Sequence, residues 1–280
     1  MQGKTVVITG ATSGIGEVAA CRLAAAGARI VLVARDERRA AATLAKLNGI
    51  APGAGHKFHL GDLSRISEMK RLGAEIAAAE PRIDVLVNNA GAMFNSRKLT
   101  EDGLEFTFAT NHVAYFVLTD ALRGSLAASG AARVVSTASD AHRGAKLDFD
   151  DLQSAQAYSG FKVYGRSKLC NILWTRELAR RWAGSGITAN CLHPGFVATR
   201  FGDQSGGMLQ PLFSVAKLFA ISPEKGAETI VYLASSPEVE GVSGGYFYKC
   251  RPATPTREAQ DDASAKRLWG ETARLTGVGL

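Results

Sequence analysis

With 280 residues, 46% of them hydrophobic and 21% charged, the chain is long and apolar enough to bury a core, which excludes an intrinsically disordered protein. Its 33 basic and 26 acidic residues leave a net charge of +7, but the basic side chains are scattered and none forms a tract interleaved with aromatics, so no nucleic-acid partner is expected. The four cysteines (Cys21, Cys170, Cys191 and Cys250) are isolated, without CxxC pairs or histidines at metal spacing, so neither a disulfide framework nor a metal is expected.

Residues 1–11 run straight into a strand, and no apolar stretch approaches the length of a span, which predicts a cytoplasmic protein without a membrane span. Strand-like runs follow at 5–9, 30–33, 57–60, 85–88, 134–136, 188–192 and 246–248. Helical patterns lie between them at about 14–26, 37–47, 65–79, 101–127, 159–184 and 224–235. Alternation of this kind predicts an α/β fold: a doubly wound parallel sheet of about seven strands with helices on both faces, as one domain over 1–280. Pro81, Pro194–Gly195 and Pro223 punctuate the series. Between glycines, the segment 195–222 carries Phe196, Phe201, Met208, Leu209, Leu212, Phe213, Leu218 and Phe219, and reads as an apolar flap. The stretch 252–280 is polar and is expected to wrap the surface.

Directly after the first strand comes TGATSGIG, which supplies Gly10, Thr12, Ser13, Gly14, Ile15 and Gly16 and opens a helix. Glycines there allow a tight turn and close approach of the backbone to a pyrophosphate, and the helix N-terminus offers free N–H groups. On its own such a turn also fits plain βα packing. Asn88-Asn89-Ala90-Gly91 ends the fourth strand, and Asp62–Leu63 follows the third; a turn and a helix cap are their structural readings. Further along, Tyr164 and Lys168 are four apart and so neighbours on a helix face. A phenol ionises near pH 10, and a nearby cation lowers that value, which is what a proton-exchanging tyrosine needs.

The order TGATSGIG, NNAG, Asn111, Ser139, Tyr164-Gly-Arg-Ser-Lys168 and Pro194–Gly195 resembles the short-chain dehydrogenase/reductase family over nearly the whole chain. Within it, SDAHRG after Ser139, SKLCNILWTRELARR after Tyr164, and SGGYFYKC near the end are similar to the retinol dehydrogenase-like group; light-dependent protochlorophyllide reductases look similar too. The resemblance implies a Rossmann-type fold and an enzyme interconverting a carbonyl and an alcohol. Catalytic roles then fall to Asn111 (orienting a relay water), Ser139 (binding the substrate oxygen), Tyr164 (general acid/base) and Lys168, which would also hold the nicotinamide ribose. Asp62 and Leu63 would clamp the adenine, while Asn89, Ala90, Gly91, Pro194, Gly195, Val197 and Thr199 would complete the cofactor site with Tyr164 and Lys168. The family also implies a homodimer or homotetramer built on the helices at about 102–126 and 164–182.

Cofactor choice turns on the end of the second strand, where NAD-using relatives carry an acid that accepts the ribose 2′-OH. This chain has Ala34 there and Arg35 next, which favours NADP(H) over NAD(H); Asp36 becomes a 2′-OH acceptor if the strand runs longer. A second tetrad, Tyr158 to Lys162, contains Gly160 and lacks the Ser-Lys pair and apolar helix that follow Tyr164, so Tyr164 is preferred. Ser136 is the rival serine, and His142 and His193 are read as loop and strand-end residues. The apolar flap suggests a lipophilic aldehyde, ketone or alcohol as substrate. A catalytically silent NADP(H)-binding redox sensor is the alternative, and the intact Asn/Ser/Tyr/Lys set speaks against it.

Overall fold

The computed structural model describes residues 1–195 and 221–279. Its strands are β1 (Thr5–Thr9), β2 (Arg29–Ala34), β3 (Lys57–Leu60), β4 (Val85–Asn88), β5 (Arg133–Thr137), β6 (Thr188–Leu192), β7 (Tyr246–Tyr248) and β8 (Arg251–Pro252), and they form one eight-stranded sheet in the order β3-β2-β1-β4-β5-β6-β7-β8. The first seven strands are parallel; β8, unforeseen in the sequence, adds an antiparallel edge to β7. Chain direction across the sheet reverses between β1 and β4. In such sheets the ligand crevice opens beyond the carboxyl ends of those two strands.

Because the strands are covered on both faces, their near-continuous apolar runs alternate between two cores. Val7, Val31, Leu86 and Val134 face one core, under helices α3 (Ile66–Ala79), α5 (Ala114–Ala121) and α7 (Gly160–Arg181). Val6, Ile8, Ile30, Leu32 and Val87 face the other, with α1 (Gly14–Ala25) and α8 (Pro223–Ser235). Pro223 opens α8 as expected, with the Ser222 hydroxyl capping it. α2 (Glu37–Ile50) is capped by Asp36, whose carboxylate accepts the Arg39 N–H at 2.8 Å.

Two expectations need correction. The helix predicted over 101–127 is broken: Glu105 caps a short α4 (Phe106–Phe108), a π-turn spans Ala109–Val113, and α5 and α6 (Arg123–Ala127) follow. Gly103, at φ +74°, keeps the first residues out of the helix. The C-terminal stretch is not a surface wrap. It holds α9 (Asp262–Thr276), capped by Asp261 and ended by Gly277 in the left-handed region, with Ala265, Leu268, Trp269 and Thr272 buried along one face. Trp269 meets Phe116 edge-on with ring centroids 5.0 Å apart, and the Arg181 guanidinium lies 4.4 Å above it. The apolar α7 residues Leu169, Ile172, Leu173, Trp174 and Leu178 are therefore enclosed within one chain, and the helix faces expected to meet a second subunit are covered by α9 and α3.

Candidate active site

Where β1 meets α1, Gly10 adopts φ +67°, and a Cβ on it would press against the Ala90 backbone. The loop is thus packed on the NNAG turn. Thr9 Oγ1 accepts the N–H groups of Asn89 and Ala90, both at 2.9 Å, and Asn89 Nδ2 donates to the carbonyls of Thr9 and Gly10. Thr137 donates to Asn89 Oδ1, so this asparagine staples the ends of β1, β4 and β5. Its side chain serves the scaffold. Ser13 precedes α1 without a side-chain cap, which leaves the helix's first N–H groups to bind an anion alongside Thr12, Gly14 and Ile15.

Asn111 sits in the π-turn, fully buried. Its Oδ1 accepts the Ala92 N–H (2.8 Å), and its Nδ2 donates to the Ala92 carbonyl and to Ser167 Oγ (both 2.9 Å). These bonds fix the segment that follows Gly91 and use both Nδ2 protons, while Oδ1 keeps a second lone pair. Ser139, two residues past the end of β5, caps a 3₁₀ turn, with Oγ accepting the Ala141 N–H at 3.2 Å. The Tyr164 side chain lies beside Ser139, whose hydroxyl acts on its ionisation. Lys168, one turn further along α7, is buried, donates to the Thr137 carbonyl at 2.9 Å, and lies 5.6 Å from the Tyr164 ring centroid. A Cβ on Gly91 would sit 3.2 Å from Asn111 Oδ1 and 3.4 Å from Lys168 Nζ, so glycine keeps an opening beside both. Asn111, Ser139, Tyr164, Lys168 and Gly91 are brought together.

Electrostatics differ from the sequence expectation. Burial pushes the Tyr164 hydroxyl up to about 12, against the Ser139 hydroxyl that lowers it, and burial brings the Lys168 ammonium down to about 7. Lys168 meets a neutral carbonyl, so no opposite charge there offsets the desolvation of its ammonium.

The rival residues separate from this centre. Tyr158 precedes α7, which begins at Gly160, so Tyr158 and Lys162 share no helix face; Tyr158 donates to the Phe94 carbonyl (2.9 Å) and to Glu105 (3.3 Å). Ser136 is fully buried within β5. His142 holds the Ser139 carbonyl, and His193 stacks on Tyr248 at 4.0 Å while accepting the Gly195 N–H. Burial pushes His193 down to about 4.

At the far end, β2 runs to Ala34, one residue beyond the run read at 30–33, leaving Arg35 exposed, and the cap bond to Arg39 N–H engages Asp36. Asp62 accepts the Ser64 N–H and Leu63 is buried just past β3. Three participants were not read from the sequence: Arg39, whose guanidinium reaches the Thr12 carbonyl at 3.3 Å; Thr137, whose carbonyl holds Lys168; and Tyr115, whose ring lies 5.8 Å from Lys168 Nζ and whose hydroxyl donates to the Ala90 carbonyl. Arg39 lies in the first turn of α2, beside the Arg38 of the same basic run. Pro194 and Gly195 close β6, whereas Val197, Thr199 and the flap residues 196–220 lie outside the described residues. Among the described residues no His/Cys/Asp/Glu group could hold a metal, and no helix is long and apolar enough to cross a membrane.

The short chain dehydrogenase family model matches residues 4–208. Retinol dehydrogenase 14 of Homo sapiens is 41% identical, over 99% of this chain and 88% of that protein. Retinol dehydrogenase 13 of Homo sapiens is 39% identical, over 99% and 85%. Among solved structures, an actinorhodin polyketide ketoreductase with NADPH matches at a TM-score of 0.69 and 26% identity, over 87% of this chain and 94% of that one. The chain belongs to the short-chain dehydrogenase family and is an oxidoreductase of that class.

Proposed function

We propose that the protein is an NADP(H)-dependent oxidoreductase that interconverts a carbonyl and an alcohol on a lipophilic aldehyde or ketone, with Tyr164 exchanging the proton. The observation that carries this is the Tyr164 side chain set beside Ser139, with the buried Lys168 ammonium 5.6 Å from its ring centroid and held on the Thr137 carbonyl. The glycine-lined loop, the uncapped start of α1 and the opening at Gly91 fit a nicotinamide dinucleotide. When bound, its nicotinamide gives or takes the hydride. In reduction, the Ser139 hydroxyl binds the carbonyl oxygen and Tyr164 donates its proton to it; in oxidation Tyr164 accepts the alcohol proton. Lys168, anchored on Thr137, is placed to stabilise the phenolate left behind and to contact the ribose.

Preference for NADP(H) is supported by Ala34 at the end of β2, by the exposed Arg35, by Arg39 at the phosphate loop and by the engagement of Asp36 in a cap. The structural relative with NADPH agrees with it. A lipophilic substrate is supported by Phe94, packed on Phe106 beside the first turn of α7, and by Phe161, 62% exposed one turn before Tyr164. A homodimer or homotetramer would have to assemble through a surface other than the α5 and α7 faces already covered. Turnover of NADPH, with NADH beside it, against alkyl aldehydes, ketones and retinoids tests this reading. It expects NADPH oxidation with the apolar carbonyls; cofactor binding without turnover of any would favour the silent redox sensor.

A further inference from the structure

Two buried histidines that the proposed chemistry does not use lie beside residues that it does. His112 follows Asn111 inside the π-turn, and His142 closes the 3₁₀ turn capped by Ser139. Each directs Nε2 to the same part of the chain. His112 Nε2 lies 2.9 Å from Thr272 Oγ1 in α9, and His142 Nε2 accepts the Thr256 backbone N–H at 3.3 Å, ahead of α9.

Proton accounting fixes how these rings bond. His142 Nδ1 is 2.7 Å from the Ser139 carbonyl, which can only accept, so Nδ1 carries the proton and Nε2 receives Thr256. For His112, Nδ1 and Asn171 Oδ1 both lack a partner at ordinary hydrogen-bond geometry, yet the two side chains interact. Both are satisfied if Thr272 gives its hydroxyl proton to Nε2, rather than to the Leu268 carbonyl 2.9 Å away, and Nδ1–H faces Asn171. Asn171 Nδ2 in turn donates to the Thr137 carbonyl that holds Lys168. Thr272 of α9 thus reaches His112 in the turn that carries Asn111, and Asn171, beside His112, reaches the carbonyl that holds Lys168.

We propose that the C-terminal segment 256–276 is a positioning element of the active site, acting through His112 and His142 on the turns that present Asn111 and Ser139; the roles of those two residues rest on the function proposed above. The π-turn makes this coupling necessary. A π-turn departs from the regular helical ladder and is held by what packs on it, and here that includes Thr272.

Thr272→Val, which keeps the shape and removes the hydroxyl, tests the coupling, with Thr272→Ser as rescue and His142→Phe as the second arm. Amide hydrogen exchange on the cofactor-free protein is read over 106–114 and 137–145, with Tm alongside, followed by NADPH turnover of an alkyl aldehyde. Thr272→Val is expected to speed exchange in 106–114 at near wild-type Tm and to lower kcat about tenfold with KM within about twofold. Thr272→Ser is expected to restore both, and His142→Phe to speed exchange in 137–145. Unchanged exchange in 106–114, an even loss across the protein that serine does not rescue, or wild-type kcat in Thr272→Val would overturn the proposal. The exchange arm needs no turnover, so an inactive wild type with faster exchange in Thr272→Val would refute the function while leaving the coupling standing.

Discussion

Lys168 Nζ lies 5.6 Å from the centroid of the Tyr164 ring and is held 2.9 Å from the Thr137 carbonyl, so the cation beside the phenol is fixed from behind by the end of β5. Burying that ammonium without a carboxylate has a measurable consequence. Its value falls from 10.5 to about 7 on folding, so between those limits the unfolded chain binds a proton that the folded one releases. The penalty is therefore full below about pH 7 and relieved as pH rises toward 10.5. Relative to Lys168→Met, the cofactor-free wild type should gain about 1.4 kcal/mol of unfolding free energy per pH unit between pH 7.5 and 9.5. Denaturant melts across that range check it; a difference independent of pH would contradict the burial.

On the NADP(H) reading proposed above, the exposed Arg35 and Arg39, which reaches the Thr12 carbonyl, are the candidate partners of a 2′-phosphate. Arg35→Ala should weaken NADPH by about 1.5–3 kcal/mol while changing NADH little. Isothermal titration of both cofactors decides this. Equal losses for the two would defeat the assignment of Arg35, and a loss confined to Arg39→Ala would move the role one helical turn.

Trp269 is 3% exposed and fills the space between Phe116 and the Arg181 guanidinium. Trp269→Ala should cost about 3–5 kcal/mol, the range for removing a large aromatic from a packed core. A surface wrap would tolerate it within about 0.5 kcal/mol. Chemical denaturation separates the two.

The sheet and the grouping of the candidate site residues could be read from the sequence because their signals are local. TGATSGIG and NNAG carry glycines where a Cβ would strike the neighbouring backbone or side chains, and Tyr164 and Lys168 keep helical spacing. The C-terminal helix escaped because its apolar positions, Ala265, Leu268, Trp269 and Thr272, are few and set among charges; their burial depends on α5 and α7, far away in sequence. The π-turn escaped for a similar reason. Nothing in Ala109–Val113 departs from an ordinary helical pattern, and the turn's partners, Ala92, Ser167 and Thr272, come from three distant segments. Nor could the sequence show that the Asn89 amide is engaged by Thr9, Gly10 and Thr137, which lie at the ends of other strands.

The central claim is that Tyr164, beside Ser139 and one turn from Lys168, exchanges the substrate proton, while Tyr158 ties down the Phe94 carbonyl and Glu105. Single-turnover and steady-state reduction of an apolar aldehyde by NADPH, run on Tyr164→Phe and Tyr158→Phe in parallel, tests it most directly. Tyr164→Phe should keep its fold and its NADPH affinity and lose about 10²–10⁴-fold in kcat, whereas Tyr158→Phe should stay within about threefold of wild type. A Tyr164→Phe protein with wild-type kcat, or a folded Tyr158→Phe protein that had lost it, would contradict the account.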